Sequence, residues 1–372
     1  MSDIPAPARP GDALADVDTP ALLLDLAAFE HNVAAVHGFV AARRGRLRSH
    51  GKAHKCSEIG RRQVAAGAVG LCCQKVGEAE AFVAGGIGDV LVSNVIVGES
   101  KARRLAALAR RARVGVCVDS ALQVEQIGRA ARAAEAPVGI LIEIDVGQSR
   151  CGVGSTDEAL ALAQRIASYA PWLQLRGLQA YHGRAQHLRA PAQRREAIEA
   201  AAARAREVQG ALRAAGLGCD EVCGGGTGTY RYELASGVYT ELQAGSYVLM
   251  DADYSDNEPD PEAPALRQAL TVLCTAITVR PTHVVLDGGL KAFAVDSGKP
   301  RMVLPGWTVM GLSDEHTVMR AQAGTPALRL ADKVQLVPGH CDPTVNLHDW
   351  IVAHRDGRVE GVWPVDARGA LF

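Results

Sequence analysis

Between residues 21 and 247 the chain repeats one pattern: a short, nearly continuous apolar run, then a longer Ala/Arg/Glu-rich stretch of helical period. The apolar runs fall at 47–54, 70–74, 89–94, 114–119, 138–145, 175–182, 221–225 and 240–247, and the helical stretches between them include 100–111 and 194–215. Strands that are apolar on both faces need cover on both sides, which a parallel sheet wrapped in helices provides. Eight such units in roughly 200 residues predict a (β/α)8 TIM barrel. One further run, Ala21-Leu22-Leu23-Leu24-Asp25, precedes the first unit and leads into a helix through Phe29 and Val33.

The rhythm stops near Asp253. Residues 257–264, Asn-Glu-Pro-Asp-Pro-Glu-Ala-Pro, form a polar, proline-rich break. Beyond it come β-like runs at 270–279, 282–287, 333–337 and 361–364, with no convincing helix. The expected architecture is α/β: a barrel over 28–255, and a mostly antiparallel β domain over 1–27 and 256–372 that the N-terminal strand joins. The first fifteen or so residues, rich in Ala, Pro and Asp, read as a loose arm. No repeat of fixed period appears beyond the βα rhythm.

Composition excludes several classes. A net charge of −1 gives no electrostatic reason to expect nucleic acid or a membrane surface as partner. Apolar content is 48%, but in short runs, well under the roughly 18 or more residues a bilayer span needs. The N-terminus lacks a basic segment followed by an apolar core, so no secretory signal is expected. The nine cysteines lie scattered in apolar segments and form no CxxC pair. Reduced core thiols in a cytoplasm fit that pattern better than a disulfide framework or a thiolate zinc site.

In such barrels chemistry gathers at the C-terminal ends of the strands. Reading polar residues off those ends gives Lys52, His54, Gln74, Asn94, Asp119, Asp145, Arg150, Tyr181, His182 and His187, with Ser246 and Tyr247 completing the ring. Three segments stand out. In Arg48-Ser49-His50-Gly51-Lys52-Ala53-His54-Lys55 a lysine is placed at a strand end, where desolvation or the nearby His50, His54 and Lys55 would lower its pKa for attack on a carbonyl; the alternative is a surface basic cluster. Gly224-Gly225-Gly226-Thr227-Gly228 follows the seventh strand, the usual phosphate position, although a glycine cluster alone also makes an ordinary turn. In Pro338-Gly339-His340-Cys341-Asp342-Pro343, extended backbone would point His340 and Asp342 the same way, toward one Mn²⁺, Mg²⁺ or Zn²⁺, unless the triplet is only a turn.

Taken together, RSHGKAHKC (48–56), CCQKVGEAE (72–80), EIDVGQSRCGV (143–153), LQAYHG…QH (178–187), GGGTG (224–228), YTELQAGSY (239–247) and VPGHCDPTVNLHDW (337–350) resemble the D-threonine aldolase and D-serine dehydratase group of fold-type III pyridoxal phosphate enzymes, relatives of alanine racemase. The likeness runs from about Asp18 to the C-terminus. It implies pyridoxal 5'-phosphate carried as a Schiff base on Lys52, with its phosphate at Gly225, Gly226 and Thr227. Tyr181 would flank the cofactor ring and Arg150 would approach the pyridine nitrogen, with Gln74 and Tyr247 as further cofactor contacts. His187 is implied as the base near the substrate hydroxyl, while His182 reads equally as a hydrogen-bonded packing residue. His340 and Asp342 would hold a divalent metal. Dehydratases of the group typically carry His-x-Cys there, so the acid at 342 implies aldol cleavage.

The resemblance thus implies a lyase that cleaves a D-3-hydroxy amino acid to glycine and an aldehyde. The substrate is left open between D-threonine and 3-hydroxyaspartate, with D-serine or 3-hydroxyaspartate dehydration as the alternative reaction. Arg184 or Arg231 could supply the cation that a diacid needs. A single-domain barrel that only carries the cofactor would lack the β domain to which this chain gives its last third. A homodimer is expected, and which subunit supplies the metal pair is open.

Overall fold

The computed structural model describes residues 5–372. The first sheet is parallel throughout and runs in the order Arg46–Leu47, Glu241–Leu242, Glu221–Gly224, Leu173–Gln179, Val138–Glu143, Arg113–Val118, Asp89–Val95, Leu71–Cys73, Ser49–His50. Its two outer members are consecutive pieces of one segment, interrupted at Arg48. The sheet therefore closes on itself, and the backbone continues the pairing there: Arg48 N–H donates to Leu242 C=O at 2.8 Å and His50 N–H to Ala244 C=O at 3.0 Å. Barrel strands such as Leu71–Cys73 and Val138–Glu143 are buried at every residue, as the near-continuous apolar runs require.

Arg48 is 1% exposed and its guanidinium reaches Glu241 and Asp89, each at 2.7 Å. Both acids stand at the first residue of a strand, so this charge cluster plugs the N-terminal end of the barrel. Buried charge is tolerated only when paired in this way. The opposite end is left for chemistry.

The second sheet takes the order Trp307–Leu312, Thr317–Ala321, His283–Leu286, Leu270–Arg280, Ala21–Asp25, Trp350–Arg355, Arg358–Pro364, with Lys333–Val337 branching from Leu270–Arg280 and Arg301–Met302 pairing in turn with Lys333–Val337. Ala21–Asp25 pairs antiparallel with Leu270–Arg280 and parallel with Trp350–Arg355, so the N-terminal strand does join the β domain. No helix among the described residues is long and apolar enough to cross a membrane.

Four expectations are corrected. The arm is packed over its described part: Ala8 and Val17 are buried with Leu23, Leu273, Val352 and Val359, and Gly11 N–H donates to Val359 C=O at 2.8 Å. Residues 1–4 of that arm lie outside the described residues. The run 47–54 is not one strand, because a single 3-10 turn, Gly51–Ala53, follows Ser49–His50. The run 240–247 gives only Glu241–Leu242 before a turn at Ser246–Val248. Finally, His340 is extended, but Cys341–Val345 is a short helix. Asp251 Oδ2 accepts the Cys341 N–H at 2.8 Å, and Pro343 falls in the first turn, where its missing N–H costs nothing.

Candidate active site

The C-terminal ends of the barrel strands open onto a cavity of about 540 Å³. Lys52 enters it from the turn Gly51–Ala53. That turn can sit where it does because residue 51 is glycine: a Cβ there would lie 2.6 Å from the Phe82 ring. The Lys52 ammonium is ion-paired with the Asp342 carboxylate of the same chain, across the two domains. Burial alone would depress the lysine pKa, but Asp342, with help from Tyr181, more than reverses this and holds it above the ordinary lysine range. The expected activation by a lowered pKa is therefore corrected for this arrangement, because a carboxylate and not a cation faces Nζ. Burial likewise pushes Asp342 up, and the Lys52 charge overrides it to hold the carboxyl well below its usual value.

His50 lies beneath the lysine. Its Nδ1 accepts the Lys52 N–H at 3.4 Å, and its Nε2 lies 3.1 Å from Ser93 Oγ and 2.9 Å from the Gln74 amide nitrogen. Burial, then the Lys52 charge, holds His50 far below the usual histidine pKa, so it is neutral. Across the cavity, Arg150 stands 5.9 Å over the Tyr181 ring and 3.7 Å from Glu143. Burial raises the Glu143 pKa to about 7 despite that arginine.

The glycine cluster forms a tight cradle. Gly225 has φ +79°, the left-handed region that favours glycine. A Cβ on Gly226 would come within 2.4 Å of Gln186 Oε1, and the Gly228 N–H donates to that same oxygen at 3.1 Å. Gly226 and Thr227 line the cavity, whereas Gly225 shapes the turn behind them. Thr227 Oγ1 is buried with no hydrogen-bond partner. A buried, unsatisfied hydroxyl beside a glycine-built cradle fits a phosphate, and an amine, a phenol ring and a guanidinium around one cavity fit the rest of pyridoxal phosphate.

His187 ends the short turn Arg184–His187 and faces the cavity. Its Nδ1 lies 2.8 Å from Asp253 Oδ2, and Tyr254 packs on the ring with centroids 5.0 Å apart. Burial lowers its pKa although Asp253 pulls the other way. His340 Nδ1 lies 2.6 Å from Asp296 Oδ2. Metal-bound imidazoles typically engage a carboxylate through their second nitrogen in this manner, so His340 and Asp342 fit a divalent ion. Among the described residues no three His, Cys, Asp or Glu side chains converge on a metal-sized site, so water or substrate would complete the coordination.

Several predicted rim residues do not reach the cavity. Tyr247 is fully buried, its hydroxyl held by His37 at 2.8 Å, Ser49 at 3.0 Å and Gln63 at 3.2 Å. His54 turns to Gln63, and Lys55 forms a buried pair with Glu78 at 2.6 Å. Asn94 ties down the Gln74 carbonyl; Asp119 and Asp145 accept backbone N–H groups of the 147–152 loop. His182 packs by Gly147 with Nδ1 unsatisfied. Arg231 is consumed by Asp260 and Glu262, while Arg184 lines the cavity. Ser93, Asp253, Tyr254 and Asp296 were not anticipated.

Comparison with known proteins gives a consistent setting. Residues 24–253 match the alanine racemase N-terminal domain family, and residues 269–354 match a putative serine dehydratase domain. The chain is 48% identical to a D-threonine aldolase of Arthrobacter sp over 98% of its own length and 97% of the relative's. It is 44% identical to a 3-hydroxy-D-aspartate aldolase of Paracoccus denitrificans over 98% and 95%. The crystal structure of D-threonine aldolase from Filomicrobium marinum superposes with a TM-score of 0.94 at 45% identity, covering 99% of this chain and all of that one.

Proposed function

This chain belongs to the alanine racemase N-terminal domain family, with a match to a putative serine dehydratase domain after the barrel, and on that premise we propose that it is a D-threonine aldolase-like enzyme cleaving D-3-hydroxy amino acids, D-threonine and 3-hydroxy-D-aspartate among them, to glycine and an aldehyde. The observation that carries the reading is one cavity lined, in a single chain, by an amine at Lys52 and an imidazole at His187, with the Asp342 carboxylate paired to that amine.

Pyridoxal 5'-phosphate, when bound, supplies an electron sink for the pair released at the substrate's α-carbon, and a divalent metal supplies charge that acidifies the β-hydroxyl. Lys52 would be the covalent anchor for the cofactor; Gly226 and Thr227 would hold its phosphate, and Tyr181 and Arg150 would contact its ring. His340 and Asp342 would hold a divalent metal such as manganese, magnesium or zinc, and the Asp342 carboxylate paired with Lys52 would be the ligand nearest that lysine. His187 takes the proton of the β-hydroxyl as the Cα–Cβ bond breaks. Asp253, bonded to Nδ1, sets the ring so that Nε2 is the nitrogen left for that proton.

We further place the enzyme in the cytoplasm, supported by nine free thiols among the described residues, and in a homodimer. Exposed Val303, Leu304 and Met310 on the β domain are apolar surface that a second subunit could cover.

The test of the reading is Lys52→Ala against Lys55→Ala. Lys52→Ala should abolish visible cofactor absorbance together with aldehyde release. Lys55→Ala leaves Glu78 buried without its cation and should cost about 3–5 kcal/mol of stability by urea titration, with the adduct retained at Lys52. A borohydride-reducible adduct that persists in Lys52→Ala and vanishes in Lys55→Ala would overturn the assignment.

A further inference from the structure

The turn Arg184–His187 is a 3-10 turn, in which residues three apart eclipse one another. Its middle residues, Ala185 and Gln186, are fully buried, and the Gly183 N–H before it is held by Gln148 Oε1 at 2.6 Å. The turn is thereby fixed with its two ends, Arg184 and His187, directed to the same cavity. Three long cationic side chains line that cavity. Lys52 is paired with Asp342 and Arg150 with Glu143, but Arg184 forms no ion pair or side-chain hydrogen bond among the described residues. The other candidate, Arg231, is neutralised by two acids.

We propose that Arg184 reads the substituent on the substrate's β-carbon and selects a carboxylate over a methyl group. The inference rests on the aldolase reading above. The group that takes the β-hydroxyl proton and the uncompensated guanidinium share one face of one fixed turn, so a substrate whose hydroxyl meets His187 brings its other β-substituent toward Arg184. A guanidinium matches a carboxylate with paired N–H donors and offers nothing to a methyl group. The favoured substrate is then 3-hydroxy-D-aspartate. Its Cα–Cβ bond breaks, the hydroxyl proton leaves to the base, the α-carbon regains a proton, and glycine and glyoxylate account for all atoms without a redox partner.

The experiment compares kcat/KM for 3-hydroxy-D-aspartate and D-threonine in cofactor- and manganese-loaded wild type, Arg184→Gln and Arg184→Lys. A hydrogen bond between charged partners is worth about 1.5–3 kcal/mol, so the diacid-to-threonine ratio should fall about tenfold or more in Arg184→Gln and recover in part in Arg184→Lys. Added salt should lower the same ratio in wild type and leave it flat in Arg184→Gln. Calorimetry with D-aspartate and D-2-aminobutyrate, which differ in a terminal carboxylate against a methyl, gives a second ratio that needs no turnover. An unchanged ratio in both measurements, including equal losses on both substrates, overturns the proposal, since the arginine would then serve the shared α-carboxylate or the fold. If wild type releases aldehyde from neither substrate, the aldolase reading is what fails, and the calorimetric ratio alone decides on Arg184.

Discussion

On the proposed reading, the basicity of His187 and its aim are separate properties, and Asp253 controls the second. The carboxylate also binds the Arg189 guanidinium, so it is fixed from one side while it fixes the imidazole from the other. Asp253→Asn keeps the shape and removes the charge. Its loss withdraws the interaction that favours imidazolium, so the His187 pKa, already lowered by burial, should fall further. The base then stays neutral to lower pH, and the acid limb of the kcat profile should move down in pH. At the same time kcat should drop about tenfold or more with little change in KM, because an ill-aimed base loses transition-state contact rather than ground-state binding. An unmoved acid limb would mean that Asp253 serves only the fold.

The glycine cradle is backed by the helix Tyr230–Ala235, through Glu233. That carboxyl is buried, accepts the Thr229 hydroxyl at 2.7 Å and leaves Oε2 without a partner; a Cβ on Gly225 would sit 3.3 Å from it. Burial raises its pKa to about 7 from 4.5, the Thr229 bond offsetting only part of this. The folded state thus keeps a proton that the unfolded chain has released, and stability falls as pH rises from the unfolded value through about 7. Glu143 contributes with the same sign. Glu233→Gln should therefore stabilise the cofactor-free protein more at pH 8 than at pH 5, by up to about 3 kcal/mol, read from urea unfolding. An identical pH slope in both proteins would show that the carboxyl is ionised. This element also marks what sequence could and could not show. Parallel strands buried on both faces leave an apolar signature, so the βα rhythm and the joining of Ala21–Asp25 to the β domain were legible. Side-chain direction at a strand end was not, because one residue of shift turns a group from cavity to core. Tyr247 was misread that way once the strand proved to end at Leu242. Asp253 and Asp296 reach their histidines only through tertiary contacts, the latter over 44 residues, and Cys341–Val345 is capped by Asp251 from 90 residues away. No local pattern carries such information.

At the scale of the whole molecule, the barrel lines the cavity and the β domain reaches its lysine from the same chain. The barrel supplies Lys52, the β domain supplies Asp342, and the two side chains are already in contact. The segment leading into the helix Cys341–Val345 is bound back to the barrel's last segment, with Ala252 N–H donating to Pro338 C=O at 3.0 Å and Asp253 N–H to Gly339 C=O at 3.2 Å. A partner subunit is therefore not needed to bring Asp342 to the lysine, whatever else a dimer covers. This settles the outcome expected when inactive Lys52→Ala and inactive Asp342→Ala subunits are mixed under exchange conditions. In a heterodimer built in cis, one site lacks only the lysine and the other lacks only the carboxylate, so aldehyde release should stay at the level of the unmixed variants. Assembly in trans would instead reconstitute one complete site per heterodimer, and recovery approaching half the wild-type rate per heterodimer would overturn the cis arrangement. Subunit exchange must be verified on the same samples by mass-tagged chains, so that silence reflects the arrangement of the site and not a failure to mix.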